Sequence, residues 1–185
     1  MKCLTCLMKC LKCLTCLKCL TWMMLPIVGL ALAPLGAAAQ QFNGIALYKQ
    51  GEFAEAAKAL KAQVEAEPNN QEALTYLGLS RVRAGDANGA LAPLNKAIEK
   101  NAKNAEAHYG LGLAKAKLDQ LDAAIAAFEK ATTLAPEHAY AHYYLGMTYN
   151  KAGKKDRAIP HLRRFLQLAP DTPEAEVVRS FLSRI

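Results

Sequence analysis

The sequence predicts an all-α protein: an α-solenoid of four helix-turn-helix repeats followed by a C-terminal capping helix. Small residues recur at a fixed spacing of 34 in two independent series. Each period also contains two apolar stripes at helical spacing, separated by a glycine or aspartate turn. Such a period is typical of stacked helical pairs. The two series are Gly44, Gly78, Gly112 and Gly146, and Ala56, Ala90, Ala124 and Ala158.

Residues 1–39 form a separate segment, which we interpret as a leader. All 6 cysteines lie between Cys3 and Cys19. Residues 19–39 carry no charge, follow a lysine-containing stretch and end in three alanines, as a secretory signal peptide does. We therefore expect cleavage after Ala39 and a periplasmic or secreted protein. The alternatives are an uncleaved anchor in the inner membrane facing the periplasm and a start codon assigned too early.

Composition excludes several kinds of site from the repeats. No cysteine follows Cys19, so the repeats cannot form a disulfide or a thiolate metal site. Without the leader lysines, 19 basic and 16 acidic residues leave a net charge of +3, which does not favour nucleic-acid binding. The sequence lacks the GxSxG, P-loop and HExxH motifs, so we expect neither enzymatic activity nor a cofactor.

The repeats are predicted to begin at Ala37, Gln71, Ala105 and Ala139. Asn70 and Asn104 precede first helices and are expected to cap them. Pro93 and Pro160 fall inside second helices, where we expect a slight bend and no break. The repeats then cover residues 37–70, 71–104, 105–138 and 139–172, with turns at Gly51, Gly85, Asp119 and Gly153.

Residues 173–185 are predicted to form the final capping helix. Thr172 is expected to cap it, and Pro173 suits the first helical position. Val177, Phe181 and Ile185 recur at a spacing of four. We expect this stripe, with Val178 and Leu182, to cover the exposed face of the fourth repeat.

The third repeat, AEAHYGLGLAKAKLDQLDAAIAAFEKATTLAPEH, resembles a tetratricopeptide repeat (TPR) from end to end. The resemblance extends over residues 37–172, with His108 and His142 at a position where the family often has tryptophan. It implies a superhelix with a concave inner surface, built mainly from first helices, that binds protein or peptide partners.

By this resemblance, a set of first-helix side chains is expected to line the groove. These side chains are mainly apolar and aromatic, which suits an extended or helical peptide segment. The alternative is that several rings pack between helices. The residues are Tyr48, Leu79, Tyr109, Leu113, Tyr143, Met147 and Asn150, and the further positions of the same set are Gln41, Ile45, Thr75, Val82 and Ala116.

A basic series recurs at the same spacing of 34 and comprises Lys49, Arg83, Lys117 and Lys151. It predicts one positive charge per repeat along one edge of the groove, which would suit an acidic segment or a terminal carboxylate. The alternative is a row of ordinary solvated side chains. The family's carboxylate clamp is not expected, because leucine or methionine stands where that clamp needs asparagine.

Three functions follow as hypotheses. The first is an exported scaffold that binds protein or peptide partners and supports assembly of an envelope or secretion complex. The second is a membrane-anchored regulatory subunit that recruits an enzyme. The third is a metal-binding protein or metal-dependent enzyme that uses His138 and His142, which are four residues apart.

Overall fold

A computed structural model describes residues 44–184 of the chain. The leader, its cleavage site after Ala39 and residues 37–43 of the first repeat lie outside the described residues. Within residues 44–184 the chain is all α-helical, which confirms the predicted fold class. The nine helices of this part are α1 (44–50), α2 (Phe53–Ala66), α3 (Gln71–Arg83), α4 (Ala87–Lys100), α5 (Ala105–Lys117), α6 (Leu121–Leu134), α7 (Ala139–Lys151), α8 (Lys155–Leu168) and α9 (Pro173–Leu182).

The helices form a single stack in chain order. From α2 onward, each helix packs against the next one along the chain. The first helices also meet across repeats, because α3 contacts α5 and α5 contacts α7. These three first helices therefore lie side by side and share one face of the solenoid.

Glycine lets the two helices of a repeat approach closely. A Cβ atom at Gly112 would lie 2.6 Å from the ring of Phe128 on the second helix. At Gly78 it would lie 2.3 Å from the Leu94 side chain. Both partners are fully buried, so neither has room to move. This steric requirement explains the spacing of the glycine series.

The turn of the third repeat contains an aspartate in a left-handed conformation. Asp119 has a φ of +59°, whereas the equivalent glycines have values of +87° (Gly51), +97° (Gly85) and +76° (Gly153). Aspartate is among the few residues other than glycine that adopt this conformation readily. The change from glycine therefore preserves the turn and adds a carboxylate to it.

The predicted asparagine caps are confirmed. Asn70 Oδ1 accepts a hydrogen bond from the Ala73 N–H, and Asn104 Oδ1 accepts one from the Ala107 N–H, both at 3.0 Å. Each cap satisfies a backbone donor that the first turn of a helix leaves without an internal partner.

The final helix begins at Pro173 as predicted, but two details differ. The Thr172 hydroxyl donates to the Ala169 carbonyl at 3.1 Å and does not cap the helix. Val178 is fully buried as predicted, whereas Val177, which was predicted to be covered with it, is 54% exposed. Adjacent residues differ by about 100° around a helix, so Val177 and Val178 do not face the fourth repeat equally. Ile185 lies outside the described residues.

Candidate functional site

The first helices of the second to fourth repeats line a groove with a volume of about 430 Å³. We call it the central groove. Its apolar lining and its two cations lie on neighbouring helices of the stack. Its lining residues are Phe53 of α2, Val82 and Arg83 of α3, Leu113, Ala116 and Lys117 of α5, and Tyr144 of α7.

Arg83 lies among three tyrosines. Its Nη2 donates a hydrogen bond to Tyr109 Oη at 3.3 Å, and its charge also acts on Tyr48 and Tyr144. Burial raises the pKa of Tyr109, while the Arg83 charge acts in the opposite direction. The Tyr109 phenol therefore remains neutral at physiological pH and does not neutralise the guanidinium.

The rings beside Arg83 form an aromatic wall. The Tyr109 ring lies 4.7 Å from that of His138, 6.0 Å from that of Tyr144 and 6.1 Å from that of Phe128, measured between centroids. Tyr144 and Phe128 are themselves stacked. The groove wall is thus held by ring packing that continues into the core.

The predicted groove residues separate into different environments. Leu113 lines the central groove, and Tyr48 and Tyr109 lie against its arginine. However, Tyr109 is only 3% exposed, so its ring belongs mainly to the core. Leu79 is fully buried and packs beside the backbone of Gly110 in the next repeat.

The fourth-repeat residues lie elsewhere. Tyr143 packs against Phe165, with ring centroids 5.1 Å apart. Met147 lines a second cavity of about 560 Å³ with Val177 and Phe181 of α9. Asn150 is half-buried in the last turn of α7. These residues therefore lie outside the lining of the central groove.

Two lining residues, Phe53 and Tyr144, were not predicted. Tyr144 occupies the same repeat position as Gly110, where a Cβ atom would collide with Leu94 and Leu79 of the preceding repeat. The position of Gly110 thus faces the preceding repeat. The Tyr144 ring at the equivalent position also faces its preceding repeat, where it stacks on Phe128. Phe53 begins a second helix, and the repeat pattern contains no signal for its role.

The members of the predicted basic series differ in whether a carboxylate lies close to them. Lys151 Nζ lies 2.6 Å from Asp119 Oδ1, and Lys154 pairs in the same way with Asp122. Within residues 44–184, no carboxylate oxygen lies within the 4.0 Å ion-pair distance of Arg83 or Lys117. The two cations of the central groove therefore have no acidic partner in this part of the chain.

The predicted metal pair, His138 and His142, has separate partners. His138 Nδ1 accepts the Ala141 N–H as a helix cap, and its Nε2 lies 3.0 Å from Glu106. His142 Nε2 lies 3.1 Å from the Pro136 carbonyl, and its Nδ1 lies 3.2 Å from His161 Nδ1. In residues 44–184 no group of three or more potential metal ligands occurs.

The hydrogen-bond partners of His142 determine which tautomer its neutral imidazole adopts. A carbonyl only accepts, so neutral His142 donates through Nε2 and accepts at Nδ1 from the N–H of His161. Burial lowers the pKa of His142 and of His161, with a smaller contribution to His161 from His142. The pair thus packs α7 against α8 in its uncharged state.

The Tetratricopeptide repeat family model matches three overlapping segments, residues 43–105, 77–136 and 109–173. The chain belongs to the tetratricopeptide repeat family. In residues 44–184, no helix has the length and apolar character needed to cross a bilayer. No curated protein sequence matches the chain.

Solved structures of TPR proteins have the same architecture. The chain shares 34% sequence identity with MamA, whose crystal structure matches it with a TM-score of 0.62. The match covers 71% of this chain and 77% of the MamA chain. YrrB, described as a TPR protein with an unusual peptide-binding site, is 26% identical with a TM-score of 0.64, covering 78% and 74%. A thermophilic TPR protein from Thermus thermophilus, TTC0263, shares the fold at 23% identity, with a TM-score of 0.70 and coverage of 80% and 82%.

Proposed function

We propose that this TPR protein is a non-catalytic scaffold that holds a peptide segment of a partner protein in its central groove. The observation that carries the proposal is the groove itself, in which residues of four repeats combine an apolar lining with aromatic rings and two cations. Its volume of about 430 Å³ suits a few side chains of a peptide, not a folded domain. The similarity to YrrB, which is described as having a peptide-binding site, supports a peptide ligand.

The groove wall is built to remain in place when a ligand binds. Tyr144 stacks on Phe128, which is fully buried, so the exposed part of this wall rests on the core. A rigid surface loses little conformational entropy on binding, which favours affinity. We therefore expect a partner segment to bind without a large rearrangement of the repeats.

Photocrosslinking in the native cell tests this proposal. A photoreactive phenylalanine at Tyr144 is expected to form a covalent adduct with a defined partner. The matched control places the same group at Lys130, which is exposed on the second helix α6. The proposal requires an adduct at Tyr144 that Ala116→Glu, a change at a partly exposed position of the lining, abolishes. Equal adducts at both positions, or none at Tyr144, would contradict it.

We also propose that the scaffold is exported and supports assembly of an envelope or secretion complex in the periplasm. The support is the sequence of the leader, whose uncharged segment ends in alanines. A membrane-anchored subunit that recruits an enzyme is the alternative. N-terminal sequencing of the purified protein decides between them: a start at Gln40 supports export with cleavage, and an intact leader excludes it.

A further inference from the structure

The two cations of the central groove differ from Lys151, their counterpart in the fourth repeat, and from its neighbour Lys154. Lys151 and Lys154 each have a carboxylate within 3 Å, provided by Asp119 and Asp122. The cause lies in the turns, because the residue 32 positions before Lys151 is Asp119, whereas the same offset from Lys117 leads to a glycine. In the described part of the chain, the groove cations thus lack the partner that the solenoid supplies elsewhere.

The surroundings of Arg83 leave much of its hydrogen-bonding capacity unused. A guanidinium has five N–H donors, and the described residues offer it only phenol oxygens, those of Tyr109 at 3.3 Å and of Tyr48. Burial raises the pKa of Tyr48 and of Tyr109, so both phenols stay uncharged. A carboxylate from outside the repeats would therefore find a solvent-accessible cation with free donors.

The spacing of the cations specifies the ligand further. Arg83 and Lys117 hold the same position in successive repeats, on helices α3 and α5 that contact each other. Packed helices lie about 8–10 Å apart, and a peptide in the polyproline II conformation rises about 3.1 Å per residue and repeats its side-chain direction every three residues. Acidic side chains three residues apart therefore match the two charges. Leu113 and Ala116 line the groove, which favours an apolar ligand side chain between the acids.

We propose that the bound segment is internal to its partner and carries two acidic residues three positions apart, with an apolar residue between them. One carboxylate pairs with Arg83 and the other with Lys117. This inference rests on the proposed function and adds the chemistry of the partner. A single terminal carboxylate is the lesser match, because it neutralises only one of the two cations.

Fluorescence anisotropy with defined peptides tests the inference on the full-length protein. The probe is a labelled peptide with both ends blocked, in which two glutamates three residues apart flank a phenylalanine. Three comparison peptides replace both glutamates by glutamine, replace the phenylalanine by serine, or offer only a free C-terminal carboxylate. We expect the first peptide to bind at least about tenfold more tightly than each of the others.

Substitutions in the protein then locate the binding. Arg83→Gln is expected to weaken the first peptide about tenfold and Lys117→Gln about fivefold, since each removes one charged contact. Lys151→Gln is the matched control, because it removes a cation of the same series that already has a partner. We expect it to change the affinity by less than about twofold.

Failure of this inference can be distinguished from failure of the scaffold function. Three results would each contradict the proposed acidic segment. The glutamine peptide could bind as tightly as the glutamate peptide, the free-carboxylate peptide could bind more tightly than it, or Lys151→Gln could weaken binding as much as Arg83→Gln. An adduct at Tyr144 would still support the groove in all of these cases. Absence of that adduct would overturn the groove together with the inference.

Discussion

The third and fourth repeats have the same fold but present the same sequence positions in different environments. Tyr109 and Tyr143 are 34 residues apart, yet Tyr109 is 3% exposed and Tyr143 is half-buried against Phe165. Lys117 lines the central groove, whereas Lys151 is paired with an aspartate. The comparison teaches that the period determines the backbone, while the neighbouring repeat determines what each side chain does.

The largest expected difference concerns the stability of the two tyrosines. Tyr109→Ala is expected to lower the free energy of unfolding by about 3–4 kcal/mol, because it empties a buried aromatic site. Tyr143→Ala is expected to cost about 1–2 kcal/mol, since its ring is partly in contact with solvent already. Urea denaturation of both variants measures the difference.

Tyr109→Phe serves as the control, because it keeps the ring and loses only the hydroxyl that Arg83 contacts. A cost of about 0.5–1.5 kcal/mol is expected for that change. Equal costs for the two alanine variants would show that the repeats do not differ at this position.

The second difference is a dependence on pH that belongs to the fourth repeat. Burial lowers the pKa of His142 and of His161, so the folded protein binds fewer protons than the unfolded chain below about pH 6.5. The stability contributed by the neutral pair is complete above that pH and is lost as pH falls through it. We therefore expect the free energy of unfolding to fall between about pH 7.5 and 5.5.

His161→Gln is expected to reduce this loss, measured as the change in denaturation midpoint between the two pH values. His108 occupies the equivalent position to His142 in the third repeat and contacts the Ala102 carbonyl, so His108→Gln is the matched control. If both variants retain the full pH dependence of wild type, the histidine pair is not its source.

The smallest expected effect comes from exchanging turn residues. Asp119→Gly releases Lys151 and makes the fourth repeat resemble the third, so the acidic peptide should bind about twofold more tightly. Gly85→Asp is the reverse change, because it places a carboxylate at the same offset before Lys117, and it should weaken binding.

Asp119→Gly should alter the unfolding free energy by less than about 0.5 kcal/mol, since an exposed ion pair contributes little. Unchanged peptide affinity in both variants would refute the role of the turn.

The sequence was sufficient to predict the fold because its signals are local and repeated. The spacing of Gly78 and Gly112 follows from contacts within one repeat, and the caps at Asn70 and Asn104 follow from backbone hydrogen bonds. Such requirements recur from unit to unit, so a period reveals them.

The site was predicted less completely, because its side chains depend on contacts between repeats. The charge at Lys151 is neutralised by Asp119, which lies 32 residues earlier in the preceding turn. Tyr144 lines the groove because its ring packs back on Phe128, whereas its neighbour Tyr143 packs on Phe165. A repeat pattern gives equivalent positions but does not specify how residues that differ between units pair.

Mapping the acidic peptide by NMR tests the central claim most directly, because it locates the bound ligand on the solenoid. We predict that the amides of the full-length protein that shift on titration cluster around Arg83, Lys117 and Tyr144, on the three first helices. Arg83→Gln should raise the peptide concentration needed to produce these shifts about tenfold. Shifts centred on the second helices, or on α9 and its neighbouring cavity, would contradict the claim that partners bind in the central groove.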